Sequence, residues 1–471
     1  MIKLIIEKEL KDIITSTKFA VTFGVCSILV LLSFYVGGRN YQIAQEEYEA
    51  AVSGELRTFQ GMTDWREVRD HSIFLPPKPI TSLVMGISND IGRDASVRAG
   101  SQIDPQDSRY GDEPIYAVFR FLDLEFIFQI VLSLFAILFA YDAINGEKER
   151  GTLRLTFANA IPRSTYILGK ILGSFLALAV PLLVPILLGV LALLLMKIPL
   201  QDTDWIRLGL VIVAGYLYFG AFLAIALFVS AKTKTSSTSF MLALVIWILS
   251  VMIIPRTAVL LAGRAVDVPS FDEIYSQRSR YAASLWQEDR RAMSNYQVPP
   301  GAPMQQAIRG FQAFMADLNE SRDKKTREFA RRLEEDRQNK QSVQEQVAFG
   351  LARVSPSATF SLAAMTLSGT GIHLKDEFTR SAQRYQQAFS EFLKEKTGVT
   401  PSGGLIFRVS TDSTTKAKPQ VQLAEIPVFT FDQPMLSAIL GNAAIDFSIL
   451  VLFNLVFFVG AFVAFLRYDV R

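Results

Sequence analysis

The side chains most able to do chemistry in this chain lie in one short stretch, YDAINGEKERGTLRLTFANAIPRSTYILGK, Tyr141 to Lys170, wedged between two long apolar runs. Glu147, Glu149, Gly151, Thr152, Leu153, Pro162, Arg163, Gly169 and Lys170 stand there in the order E-x-E-x-G-T-L…P-R…G-K. A loop this charged cannot lie in hydrocarbon, so it reads as a short aqueous connection between two membrane helices. A generic charged loop placed by the positive-inside rule would explain its basic residues, but E-x-E-x-G-T-L followed by P-R at this distance favours a docking role. Gly146 can end the preceding span, and Glu147 and Glu149 suit the N-terminus of a short helix, where the backbone dipole favours negative charge. Leu153, Leu155 and Phe157 offer apolar contact, while Arg150 and Arg154 can meet acids or lipid head groups. Catalytic chemistry has less support. Gly169-Lys170 is followed by Ile171 and lacks the G-x-x-x-x-G-K-[ST] frame that cradles phosphates, so it belongs to a helix start and no ATP site is expected in this chain. His71 and His373 share no ligand spacing with a cysteine, which argues against zinc. Asn442, Asp446 and Asn454 recur at spacings of four and eight in the last apolar run and share a helical face. A charge at mid-bilayer costs about 2.5–3.5 kcal/mol on insertion scales, so Asp446, Asn454 and Gln129 are candidates for lining a pathway. The plainer reading is that 447–466 alone spans, leaving Asp446 at an interface within reach of water. No catalytic triad, metal site or cofactor site is expected.

These residues need a membrane scaffold, and the composition supplies one. Half of the 471 residues are hydrophobic, only 20% are charged, and the mean hydropathy is +0.27. The net charge of +3 is small for this length and gives no reason to expect nucleic acid as a partner. Cys26 is the single cysteine and lies in the first apolar run, so no intramolecular disulfide can form. A membrane helix needs about 20 apolar residues. Six segments qualify or nearly so: 19–37, 121–143, 168–197, 205–230, 236–255 and 443–466. Pro181 and Pro185 could kink the third. Before the first, Ile2, Ile6, Leu10, Ile13 and Ile14 recur at helical spacing opposite Lys3, Glu7, Lys8, Lys11 and Asp12. That pattern predicts an amphipathic helix over 1–18 lying in the interface. Its acidic residues and the lack of an A-x-A-like site argue against a cleaved signal peptide.

Lys and Arg set the orientation. They gather before the first segment, between the second and third, after the fourth and in the tail 467–471, all on one side if the spans alternate. Both termini are then cytoplasmic, and 38–120 and 256–436 lie outside. Within the first insertion, 41–56 reads as helix continuing from the span, 72–86 as an extended segment or edge strand, and 104–113 as loop. The second reads as mostly helical. Ser270 and Glu273 form a capping box, PPGAP at 299–303 is a break, and a long helix over 304–354 has a charged, coiled-coil-like middle. Residues 355–371 form a less polar stretch ending in GTG; Phe378, Tyr385, Phe389 and Phe392 define another helix; 400–432 reads as strand or loop. The expected fold is an all-α polytopic membrane protein of six transmembrane helices, with an N-terminal interfacial helix and a mainly helical extracytoplasmic domain containing some strand.

The order E-x-E-x-G-T-L…P-R…G-K closely resembles the first cytoplasmic loop of permease subunits in ABC-2-type ABC transporters. PPKPITSLVMG at 76–86 and SPSATFSLAAMTLSGTG at 355–371, with a helical F…Y…F segment after it, look like a bacterial subgroup with large extracytoplasmic insertions. Its members are often described as relatives of copper-enzyme-maturation and gliding-motility permeases. The resemblance covers the whole chain in order and is most specific over 142–170. It implies that 144–167 forms a coupling helix docking on a separate ABC ATPase subunit, which binds the ATP. Glu147, Glu149, Arg150, Gly151, Thr152, Leu153, Pro162 and Arg163 would be the coupling residues. It further implies a second permease subunit, identical or a close paralogue, an export role, and residence among the lipids of a bacterial cytoplasmic (inner) membrane. An extracytoplasmic partner could dock on 256–436. The alternative is a mechanotransmission or scaffold protein that drives such a partner without moving cargo through its spans.

Overall fold

The computed structural model describes residues 1–60, 62, 65, 70–86, 88, 93–98, 105–106, 123–158, 161–296, 304–397, 425–432 and 434–467. These fall into two compact units, Met1–Met252 with Ser355–Arg471, and Ile253–Val354. Helix dominates both. Among the described residues, six helical segments are long and apolar enough to cross a membrane: Thr17–Thr58, Leu124–Glu149, Arg163–Leu195, Asp202–Lys232, Ser236–Ala265 and Leu436–Leu466, called here the first to sixth spans. At 1.5 Å per residue the 42-residue first span is roughly 63 Å long, about twice the hydrocarbon thickness, so its last turns must stand clear of the bilayer. Ser16 starts it by accepting the Phe19 N–H at 3.1 Å, a side-chain cap at the bend from the N-terminal helix Ile2–Ile14.

The core of the first unit is built on the fourth span, which packs against the second, the sixth and a short helix, Pro356–Ser368. That short helix is the main departure from the sequence reading. Residues 355–371 were expected in the outer insertion; instead Phe360, Ala363, Ala364 and Leu367 are fully buried among the spans. Two π-helical turns receive it, Ile127–Leu132 in the second span and Leu249–Ile253 in the fifth. A π turn takes one carbonyl out of the regular ladder, and such turns need a replacement donor. The Gln129 carbonyl accepts from the Tyr218 hydroxyl at 2.9 Å and the Ser133 hydroxyl at 2.6 Å. The Ser250 carbonyl accepts from Ser355 at 2.6 Å. Gly369, at φ +70°, ends the helix in the left-handed conformation that suits a residue without Cβ.

A small α/β lobe joins the two insertions. Strands β1 (Asp70–Phe74), β2 (Asp94–Arg98) and β3 (Pro105–Gln106) form an antiparallel sheet in the order β1-β2-β3, with Asp70 opposite Arg98 and His71 opposite Val97. Helix His373–Thr397 covers it with Phe378, Ala382, Tyr385 and Phe389. The stretch expected to be extended over 72–86 is strand only at its start: Pro79–Leu83 is a helical turn with Ile80 and Leu83 buried. His71 is packed between Phe59, Tyr385 and Phe389, and burial pulls its pKa down against the opposing effect of Glu55. It is a core histidine. Most of 104–113 and of 400–432 lies outside the described residues.

The second unit is an antiparallel helical hairpin. Helices Phe271–Ser294 and Met304–Ala352 pair Arg278 with Glu334, Tyr281 with Phe329, Asp289 with Arg322 and Tyr296 with Phe314, so advancing along one helix means retreating along the other. Arg322 also stacks over Trp286, its guanidinium carbon 4.0 Å from the ring centre. Ser270 caps the first helix by accepting from the Glu273 N–H. The insertion expected over 256–436 is therefore divided: its hairpin is one compact unit, while the described residues from Ser355 onward belong with the spans and the small lobe.

Candidate coupling site

The 141–162 loop folds as two helical turns, Asn145–Glu149 and Thr152–Ala158, hinged at Gly151. Gly151 has φ +74°, a left-handed conformation that strains any residue with a side chain. Around this hinge the loop residues divide into those that turn inward and those that face out.

Glu147 turns inward. It is 7% exposed, and its carboxylate accepts from Lys170 at 2.9 Å and from the Tyr166 hydroxyl, with Lys8 at 3.4 Å. Lys170 is itself 3% exposed and also meets Glu9 at 2.9 Å, while Ser174 donates to the other Glu9 oxygen at 3.0 Å. Buried Lys170 thus meets two buried glutamates, with the exposed Lys8 reaching Glu147 from the rim, in one cluster joining the N-terminal helix, the loop and the third span. The approach of those helices rests on two glycines. A Cβ at Gly169 would lie 2.8 Å from Ile5, and one at Gly173 2.8 Å from the Glu9 Cβ. Gly169 and Gly173, a G-x-x-x-G pair, are therefore the seat of the N-terminal helix.

Glu149 also binds within the chain. Its carboxylate accepts the Ser236 N–H at 2.9 Å and the Ser236 hydroxyl at 2.6 Å, placing an anion at the N-terminus of the fifth span. Asn145, fully buried, donates to Thr233 and to the Thr235 carbonyl at 3.0 Å and shares Ser230 with the end of the fourth span. Arg163 donates to the Leu466 carbonyl at 3.0 Å, at the end of the sixth span. Leu153, expected to offer an outward apolar contact, is fully buried in the core, and Phe157 stacks near Tyr166 and Phe465. Thr152 donates its hydroxyl to the Glu147 carbonyl, tying the two turns together.

The exposed residues of the second turn are Thr152, Arg154, Leu155 and Ala158, with Glu149, Arg150, Gly151, Pro162 and Arg163 exposed beside it. Leu155 is an apolar side chain, yet it is 69% exposed.

The pathway candidates come out differently. Gln129 donates its amide to Ser357 at 2.8 Å, fastening the short buried helix to the second span. Asn454 donates to the Leu217 and Leu450 carbonyls at 2.7 and 2.8 Å, clamping the sixth span to the fourth. Asp446, placed within reach of water by the sequence reading, is 1% exposed.

Sequence reasoning missed Glu9, Tyr166, Asn145 and Ser236 as members of the site. One signal was available: Glu9 falls on the apolar face of the N-terminal helix, four residues before Ile13, and an acid there demands a buried cation.

The chain matches the family model described as "ABC-2 family transporter protein" over residues 4–470. With that match over nearly its whole length, it belongs to the ABC-2 family of transporter proteins. It is also similar to the probable ABC transporter permease protein NosY of Stutzerimonas stutzeri, at 36% identity over 125 residues. That alignment takes in 26% of this chain and spans 45% of the length of the relative.

Proposed function

We propose that this chain is the permease subunit of an ABC exporter, and that the outward face of the loop, Arg154 and Leu155 above all, docks a separate ATPase subunit. The observation that carries the proposal is the loop's set of attachments. Glu147 holds the N-terminal helix and third span, Asn145 the fourth, Glu149 the fifth and Arg163 the sixth. A push on one exposed turn is therefore delivered to five elements through short hydrogen bonds and ion pairs. ATP sits on the partner ATPase, whose closing supplies the push. The loop faces the cytoplasm of a bacterium, and two permease subunits, identical or closely related, associate through outward apolar faces of the spans. Cargo passes between them.

The burial of Glu147 and Leu153, and the bonding of Glu149 to Ser236, change the division of labour among the coupling residues. Glu147, Glu149 and Leu153 transmit; Arg150, Gly151, Arg154, Leu155, Ala158 and Pro162 form the contact. A second reading also has a specific support. Helix Pro356–Ser368 fills the interior of the bundle, which suits a subunit whose spans carry motion to a partner on the far side, held by the hairpin unit. Replacing Leu155 with Glu tests the docking claim. The variant should insert and reach normal abundance, since exposed substitutions shift stability by about 0.5 kcal/mol or less. Copurification of the ATPase and ATP-coupled activity should both be lost. Retention of both would overturn the docking face.

A further inference from the structure

At the end of the bundle remote from the loop, five elements converge on a cavity of about 110 Å³, where about 10–15 Å³ suffices for one water. Lys78 enters from the turn before Pro79–Leu83, Arg207 from the start of the fourth span, Thr366 and Ser368 from the short buried helix, Glu377 from helix His373–Thr397, and Asn442 from the sixth span. Leu75, Pro77, Met365, Phe431 and Ile439 supply apolar wall.

Arg207 is the anomaly. It is 4% exposed, and its Nε is buried without a hydrogen-bond partner. Among the described residues its guanidinium has no hydrogen bond or ion pair. Neither nearby acid forms an ion pair with it: Asp204 caps its own helix, accepting the Gln201 N–H at 3.1 Å, and both Asp204 and Glu377 act on Arg207 only by longer-range attraction. Lys78 is likewise without an ion pair among the described residues, its ammonium lying 4.6 Å from the centre of the Phe431 ring. A buried guanidinium Nε without an acceptor is costly, and the cavity beside it is where an acceptor could be supplied. Here two bases on different elements look into one cavity with hydroxyl and amide groups around it and apolar wall beside it.

We propose that this cavity binds the phosphate of an amphiphile, clamped between Arg207 and Lys78 with its apolar part along Phe431 and Ile439. Phosphate rather than carboxylate fits the donor set. Its several oxygens can serve a planar fork, a point charge and neighbouring hydroxyls at once, where a carboxylate has two. The phosphate could come from a membrane lipid head group or from a small soluble phosphate, and the chemistry is the same.

The test uses the full chain, purified in a neutral detergent, and follows native mass spectrometry of adducts and a binding isotherm. Three probes are compared: dioctanoyl-phosphatidylglycerol, inorganic phosphate, and dioctanoylglycerol, which has no phosphate. The phosphate lipid should bind saturably and dioctanoylglycerol should not compete with it. Arg207→Gln should weaken binding at least about tenfold, as expected for hydrogen bonds to a charged group. Lys78→Gln, at a half-buried position on a turn, should weaken it less, and Arg207→Lys should recover part of the loss. Binding of inorganic phosphate alone, with the same variant dependence, would identify a soluble phosphate as the occupant. Equal binding of all probes, or phosphate-lipid binding unchanged in both Gln variants with unaltered thermal unfolding, would overturn the proposal. Should Arg207→Gln fail to fold, Lys78→Gln carries the same comparison.

Discussion

Two buried basic side chains stand at opposite ends of the fourth span's reach and receive opposite treatment. Lys170, beside the loop, meets two carboxylates at 2.9 Å. Arg207, 23 residues and so roughly 35 Å along the fourth span from Ser230, meets none among the described residues. Both expose little surface, but Lys170 lies deep in the protein while Arg207 borders a cavity. The difference separates two uses of a buried charge. Where the protein supplies every counter-charge itself, the cluster is a joint: it fixes three elements at one point and transmits force. Where it leaves the donors unfilled beside a cavity, the charge is available to something outside the chain.

The sharpest way to break this comparison is to make the same change at both ends. Lys170→Met strands Glu9 and Glu147 in a buried cluster, and removal of one member of a buried pair costs about 3–5 kcal/mol. Thermal unfolding in detergent should show a large loss of stability, with the N-terminal helix released and more readily cleaved by protease. Arg207→Met removes a charge that the chain does not pair, and should leave the unfolding midpoint unchanged or raised. Equal losses at the two positions would mean that Arg207 is paired within the protein and that the cavity has no need of a ligand.

A finer version uses pH. Burial, with the positive charge of Arg207 close by, pushes the Lys78 pKa down to about 8, while Asp204 and Glu377 act in the opposite direction. Arg93 and His373 also line the cavity. Lys78 is charged below that value and neutral above it, and Arg207 keeps its charge throughout. Binding of dioctanoyl-phosphatidylglycerol, whose phosphodiester does not titrate in this range, should therefore weaken as pH rises through about 8. Bound phosphate would favour the protonated lysine and move the transition upward. Lys78→Gln should bind more weakly at neutral pH and lose the pH dependence. An undiminished pH dependence in that variant would assign the titration to another group.

The two ends also differ in how far the sequence revealed them. The loop was legible because a charged segment between apolar runs has one physical explanation, and because its spacing carries a resemblance. The six long helices were legible for the same reason: hydropathy over some 20 residues is a strong signal. What could not be read was partnership. Glu147 and Glu149 looked like an acidic docking surface, since sequence alone does not say that Lys170 and Ser236 will fold back on them. Leu153 and Leu155 are two residues apart and equally apolar, yet one is fully buried and the other 69% exposed. On a short helix that distinction depends on what lies behind it, here Tyr166 and Phe465. Helix Pro356–Ser368 escaped because its 13 residues are too few to span and its serines and threonines lower its hydropathy. One of those hydroxyls, Ser357, accepts from the Gln129 amide in the second span's π turn, and Ser355 just before the helix serves the fifth span's. The cavity around Arg207 draws on residues from 75 to 442, a separation over which single-sequence patterning carries no information.

The central claim is that the second turn of the loop touches an ATPase while the glutamates behind it hold the membrane helices. Photo-crosslinking in cells from single positions on that turn tests it most directly. A photoreactive residue at position 155 should capture a nucleotide-binding ATPase subunit, and one at 153, buried on the opposite side, should crosslink within the chain alone. Capture of the ATPase from 153 and not from 155, or from neither, would contradict the account.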